Sequence, residues 1–292
     1  AIAGSLFSNL GVRESQTMSG IIYFCAVFGA LSGMAMLPII FAQRAVFYKH
    51  ARAYFYPAQS FLLSQMLILV PLQIVETILF SSIIYWSVGL TSADGGSHFF
   101  TFMFILFTFS LCISQFYRLV ATTVASPAIA QTLSGVFLIL MILFSGYIIP
   151  KKNIPPGWEW FYWINPIAYV VKAALVNEFK APDYDFLDCD GTTGVCERFG
   201  DQVLNSRGYP TEMVWVWYSI AVMIGLFFLF LFQQADKWRR ESIGCDEALN
   251  KGRDADGIFH LLRSNDHIVE LLLCEAQGNK CVRNHLKNTR EV

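Results

Sequence analysis

The sequence predicts an all-α membrane protein that crosses the bilayer several times. Three observations carry that prediction. Of its 292 residues, 55% are hydrophobic and 15% charged, with a mean hydropathy of +0.47. A soluble domain carries about 25% charge. The apolar residues fall in long charge-free blocks rather than in stripes, and basic inner segments alternate with outer ones along the chain. The same composition excludes a disordered chain, and a net charge of -1 argues against a nucleic-acid partner.

A helix needs about 20 apolar residues to cross the roughly 30 Å hydrocarbon layer. Windows of that size predict five spans, at about 19–41, 61–90, 98–116, 128–149 and 213–233. The first lies between Glu14 and Arg44. The block from Arg52 to Asp94 is broken only by Glu76 and is too long for one span. Pro57 and the aromatics before it mark an interfacial piece, and the second span follows. The third span ends before Arg118, and the fourth starts after the Ser126-Pro127 break. Ala1 to Leu10 is apolar but too short to span, and no basic segment precedes it as in a signal peptide. It reads as the outer end of a truncated helix, so the expected parent domain has six spans. No internal repeat is visible.

Loop charges orient the spans. Arg44, Lys49, His50 and Arg52 follow the first span, Arg118 the third, and Lys237, Arg239 and Arg240 the last. These segments are expected inside. The Asp94 loop and the long acidic loop at 150–212 are expected outside, with Lys151 and Lys152 as a local exception. Residues 1–235 then form the membrane domain, and 236–292 a polar cytoplasmic tail or linker.

Several segments invite a functional reading. Gln43 to Phe61 interleaves basic and aromatic residues. It is either an interfacial helix at headgroup level or a docking helix for a cytoplasmic partner. Glu76 sits mid-span, where an acid costs roughly 2.5–3.5 kcal/mol on insertion scales. It needs a hydrogen-bonding neighbour, or else marks a substrate or proton path. Tyr147 to Phe179 is dense in Trp, Tyr and Pro and reads as a re-entrant or surface hairpin, with a new helix starting at Asn165-Pro166. Cys189 and Cys196 bracket a Gly-rich turn in the outer loop, which favours a disulfide in an oxidising compartment. Cys25 and Cys112 read as packing residues. Cys274, Cys281 and His285 match no zinc spacing, so no metal is expected. The chain has no GxxxxGK[ST], HExxH or GxSxG stretch, and His98 and Glu159 stand apart in the sequence. No catalytic residue is expected.

Three motifs carry a family resemblance. VFYKHARAYFYP, from Val46 to Pro57, resembles the VFYKxRxxxFYP motif of the plant and fungal pleiotropic drug resistance transporters, full-length members of ABC subfamily G. The family's Arg two places after the Lys is Ala51 here, with Arg52 beside it. VPLQIVET, with Pro71 and Glu76, is similar to the family's IPxxxVES. Gly146, Ile154, Pro155, Trp158, Trp160, Tyr162, Trp163, Pro166, Tyr169, Ala173 and Asn177-Glu178-Phe179 resemble the long signature GFxIxxxxIPxWWxWxYWxxPxxYxxxAxxxNEF. The resemblance covers about Ala1 to Lys237.

That resemblance implies a six-helix ABC exporter transmembrane domain, its first helix truncated, with re-entrant helices in a large extracellular loop. It implies coupling to a nucleotide-binding domain of the same polypeptide, which would hold ATP and Mg. Arg44, Phe47, Tyr48 and Lys49 fall on the family's coupling helix. The span at 19–41 becomes the family's second helix and that at 128–149 its fifth. Those two helices line the central cavity between two such domains, which makes Phe24, Phe28, Val136 and Leu140 candidate lining residues. The expected partners are a second transmembrane domain, the lipid bilayer and a hydrophobic substrate, and the expected address is the plasma membrane. A secondary transporter or channel without ATP coupling is the alternative, although neither inverted repeats nor paired broken helices are visible.

Overall fold

A computed structural model describes residues 15–52, 58–91, 96–189 and 196–255. The truncated first helix, Asp94, and Cys274, Cys281 and His285 of the tail lie outside the described residues.

The described elements are α1 (Ser15–Ala35), α2 (Leu37–Arg52), α3 (Ala58–Val88), α4 (Ser97–Thr123), α5 (Pro127–Leu143), α6 (Glu159–Ile164), α7 (Pro166–Phe179), β1 (Leu187–Cys189), β2 (Cys196–Arg198), α8 (Phe199–Ser206) and α9 (Val214–Ala255). Among the described residues, four stretches are long and apolar enough to cross a membrane: Ser15–Phe47, Gln59–Val88, Ser97–Thr123 and Val214–Arg240. The fourth expected span, at 128–149, is shorter than the sequence implies. Its helix, α5, has 17 residues, a rise of about 26 Å. Phe144 to Pro150 then form turns instead of continuing it.

Local chemistry sets these ends. Ser126 caps α5 by accepting from the Ile129 N–H, with Pro127 as the first helical residue. Gly146 has φ +84°, and a Cβ there would come within 3.0 Å of the Tyr162 ring, so this turn requires glycine. The break between α1 and α2 falls at Met36. Pro38 has no N–H to offer the Met34 carbonyl, which interrupts the ladder. Just before the break, a Cβ on Gly33 would lie 3.0 Å from the Tyr117 ring, and the Tyr117 hydroxyl donates to the Ala30 carbonyl at 2.9 Å. Glycine thus lets α1 lie closely on α4.

The core lies where α4 and α7 meet α9 and α1. Every residue of α7 is buried, the polar Lys172, Asn177 and Glu178 included. The hairpin expected on the outer face is therefore an outer turn region leading into a helix buried within the bundle. Asn165 joins its two halves: Oδ1 accepts from the Ile167 N–H at 3.0 Å, and Nδ2 donates to the Met141 carbonyl at 2.7 Å. One side chain thereby serves the start of α7 and the end of α5. Beyond α7, β1 and β2 form a two-stranded antiparallel hairpin, and α8 packs back on α7.

One charged residue differs from the sequence reading. Arg118 is not a loop residue. It lies within α4, 8% exposed, and donates to Gln65 Oε1 at 2.7 Å, while Gln65 Nε2 donates to Gln43 Oε1 at 3.1 Å. The windows ended the third span at a charge, but amide acceptors inside the bundle hold that charge. The polar segment from 236 begins within a helix. Helix α9 runs unbroken to Ala255, and Trp238 is buried between Phe47 and Phe61, at centroid distances of 4.0 and 5.0 Å.

Candidate functional site

Chemistry concentrates in three places: an open face of α1 and α5, the inner end of α2, and the outer end around α7. The open face comes first. Phe24, Phe28 and Leu31 on α1 are about half exposed. On α5, Ile129, Leu133, Val136 and Ile139 are exposed at helical spacing, and a shallow hollow of about 380 Å³ runs along Ala128, Ile129, Thr132, Leu133 and Val136. The Tyr23 hydroxyl, which donates to the Ile142 carbonyl at 3.1 Å, ties the two helices together, as does the stacking of Tyr23 on Tyr147. Leu140 differs from Phe24, Phe28 and Val136 in being half-buried and packed against the core.

Glu76 borders this face. Its Oε1 accepts from Ser32 of α1 at 2.7 Å, and its Oε2 accepts from Gln73 at 3.2 Å. Ser110 of α4 donates to Gln73 Oε1. One turn away, Phe28 and Phe80 stack at 5.3 Å. The carboxylate is held by two donors and yet remains exposed. Its neighbours are polar and neutral, consistent with an acid anchored by hydrogen bonds at bilayer depth.

At the inner end, the motif residues separate by role. Arg44 reaches across to the end of α4, donating through Nη1 to the Ala121 carbonyl at 3.0 Å and the Val124 carbonyl at 2.6 Å. A cation on terminal helix carbonyls is favourable both as a charge-assisted bond and against the helix dipole. Phe47 is 1% exposed and packs between Phe61 and Trp238. Lys49 is exposed. The Tyr48 side chain lies outside the described residues. Arg44 and Phe47 therefore brace α2, and Lys49 is the described cation of this motif that faces outward.

The outer end holds a network that sequence reasoning missed. His98 Nδ1 lies 2.9 Å from the Asn177 carbonyl, and Asn177 Nδ2 donates to the His98 carbonyl at 3.0 Å. Glu178 Oε1 accepts from the Thr91 N–H at 3.0 Å and the Tyr184 hydroxyl at 3.2 Å. Tyr85 donates to the Thr91 carbonyl. His98 thus does not stand apart: it belongs to a buried cluster that pins the outer ends of α3 and α4 to α7. Burial pushes the Glu178 carboxyl above the usual carboxylate range, against the pull of Thr91, Tyr184 and His98. The signal was the Asn177-Glu178 pair, but its partners Thr91 and His98 lie 87 and 79 residues away. Among the described residues, no group of three or more His, Cys, Asp or Glu could hold a metal.

Lys172 on α7 was also missed. It is 3% exposed, with its ammonium 4.9 to 5.8 Å from the ring centroids of Tyr169, Trp215, Tyr162 and Trp163. Lys151 lies 4.3 Å from the Trp163 centroid and 5.9 Å from that of Tyr162. Burial, and then the Lys151 charge, lower the Lys172 amine to about 8. In the outer hairpin, the register sets Cys189 opposite Cys196, and Cys196 is disulfide-bonded.

Residues 1–179 match the model of the family described as "ABC-2 type transporter". Curated relatives agree. The chain is 32% identical to ABC transporter G family member 31 of Arabidopsis thaliana, over 72% of this chain and 14% of that protein. It is 29% identical to ABC transporter G family member 2 of Dictyostelium discoideum, over 79% of this chain and 19% of that one. It is also 29% identical to ABC transporter G family member 51 of Oryza sativa subsp. japonica, over 80% and 16% respectively. The chain thus spans less than a fifth of the length of these relatives.

Proposed function

We propose, from the premise that this chain belongs to the ABC-2 type transporter family as a subfamily G transmembrane domain, that it is the membrane-spanning part of an ATP-driven exporter. Its cargo would be hydrophobic or amphipathic compounds, lipids or xenobiotics. The observation that carries this reading is the open aromatic and aliphatic face of α1 and α5 beside the anchored Glu76. A second transmembrane domain facing it would close a cavity walled by Phe24, Phe28 and Val136, with Leu140 behind that wall. ATP and Mg would be held by a nucleotide-binding domain elsewhere in the longer polypeptide. The working membrane would be the plasma membrane. The cargo can be moved only if its affinity differs between inward-facing and outward-facing states.

Coupling would run through α2. Lys49 makes the contact with the nucleotide-binding domain, and Arg44 and Phe47 transmit its movement to α4 and α9. In the full-length protein in proteoliposomes, Lys49→Glu should leave membrane insertion intact. It should also cut cargo-stimulated ATP hydrolysis and uptake of a fluorescent amphiphile by about tenfold, the loss of one charge-assisted contact. Normal stimulated hydrolysis in that variant would remove the coupling assignment. Uptake that persists without ATP would favour a secondary transporter or channel.

The outer loop would act as a roof over this cavity, closed by a disulfide between Cys189 and Cys196. A membrane-impermeant maleimide should label neither cysteine in the oxidised protein and both after reduction. Labelling before reduction argues against that pair.

A further inference from the structure

Independently of the export reading, the geometry points to an oxyanion site at the outer end of the bundle, in which Lys151 and Lys172 hold a phosphate-type group between aromatic walls. Lys172 is the unusual member. It is a lysine 97% buried on α7, and no carboxylate among the described residues pairs with it or with Lys151. The carboxylate on its own helix, Glu178, is already engaged by Thr91 and Tyr184. What surrounds the ammonium is four rings.

Ring faces attract a cation, but they carry no net charge. Tyr162 and Trp163 are shared between the two lysines, so two positive charges converge on one pair of rings. Their repulsion is uncompensated within the described chain. An oxyanion between them would accept charge-assisted bonds from both and remove that repulsion.

The position indicates where such a group comes from. Lys151 stands in the short turn after α5, and Trp215 stands at the start of α9, so both mark the same membrane boundary. Trp158, Trp160 and Trp163 are exposed there. Exposed tryptophans of this kind sit at headgroup level. The phosphate of an anionic outer-leaflet lipid lies at that depth, and free phosphate reaches it from the aqueous side.

The test uses the full chain in detergent, with intrinsic tryptophan quenching by brominated-chain phosphatidylglycerol, by its phosphatidylcholine counterpart, and competition by inorganic phosphate alone. The expected result is tighter binding of phosphatidylglycerol than of phosphatidylcholine, weakened about tenfold by Lys151→Gln. Competition by inorganic phosphate that Lys151→Gln abolishes would equally support the site and assign it to a free anion. Lys172→Met should have the same effect as Lys151→Gln. Because Lys172 is interior, the partly exposed Lys151 carries the decision. Equal binding of both lipids with no phosphate competition overturns the site, as does a preference unchanged in Lys151→Gln.

Discussion

Glu178→Ala should destabilise the protein by about 2–6 kcal/mol, because it leaves the Thr91 N–H and the Tyr184 hydroxyl buried without an acceptor, at about 1–3 kcal/mol each. Both partners are almost fully buried, so water cannot easily replace the carboxylate. The expected fall in melting temperature in detergent is on the order of 5–15 °C. Glu178→Gln keeps an oxygen for both donors and should cost about 1 kcal/mol or less. The pH dependence follows from the raised carboxyl. The folded state retains this proton where the unfolded chain has released it. The stability it contributes is therefore present below the usual carboxylate range and is lost as pH rises through the raised value. That component of the pH profile should vanish in Glu178→Gln. A melting temperature for Glu178→Ala equal to that of the parent chain would show that the buried Glu178 cluster contributes nothing.

Gly200→Ala is the second large effect. A Cβ on Gly200 would collide with the Phe179 carbonyl oxygen, with the carbonyl carbon at 3.0 Å and Tyr184 Cβ at 3.5 Å. The obstacle is backbone of the buried α7, so no side-chain rotation relieves it. Helix α8 must lift, and such overpacking costs typically 1–3 kcal/mol. The contacts that hold the outer hairpin down would move with it: Lys180 to Asp201, and Arg198 to Asp185 and to the Lys180 carbonyl. Gly157→Ala is the control, because nothing lies within 4 Å of a Cβ there. Limited trypsin digestion of the outer loop should accelerate in Gly200→Ala and not in Gly157→Ala. Equal rates would mean that α8 accommodates the methyl without moving.

Both effects depend on contacts distant in the sequence, which explains what could be read from it. Elements whose signals are local were legible. Ser126-Pro127 and Asn165-Pro166 start helices because the cap and the proline are adjacent. The charge-free windows located α1, α3, α4 and α9 because hydrocarbon thickness alone sets that pattern. They failed at Arg118, where a charge is held inside by Gln65, and at α5, where the apolar run continues into turns. The inner motif was legible as basic and aromatic. That Phe47 is buried was not, because Trp238 is far along the chain. Lys172 gave no local signal, since its rings come from α6, α7 and α9. Pro38 was a local signal for the α1–α2 break, but in a charge-free block the hydropathy count outweighed it.

Asn165 has a mechanical consequence. Its single side chain binds a carbonyl in the last turn of α5 and caps the start of α7. Sliding α5 alone would strand either the Met141 carbonyl or the Ile167 N–H, so the least costly displacement carries both helices as one piece. Because α8 rests on α7, any displacement of α5 pulls the outer hairpin along the same path. The two ends of this half of the molecule then share a single degree of freedom, a connecting rod rather than a hinge.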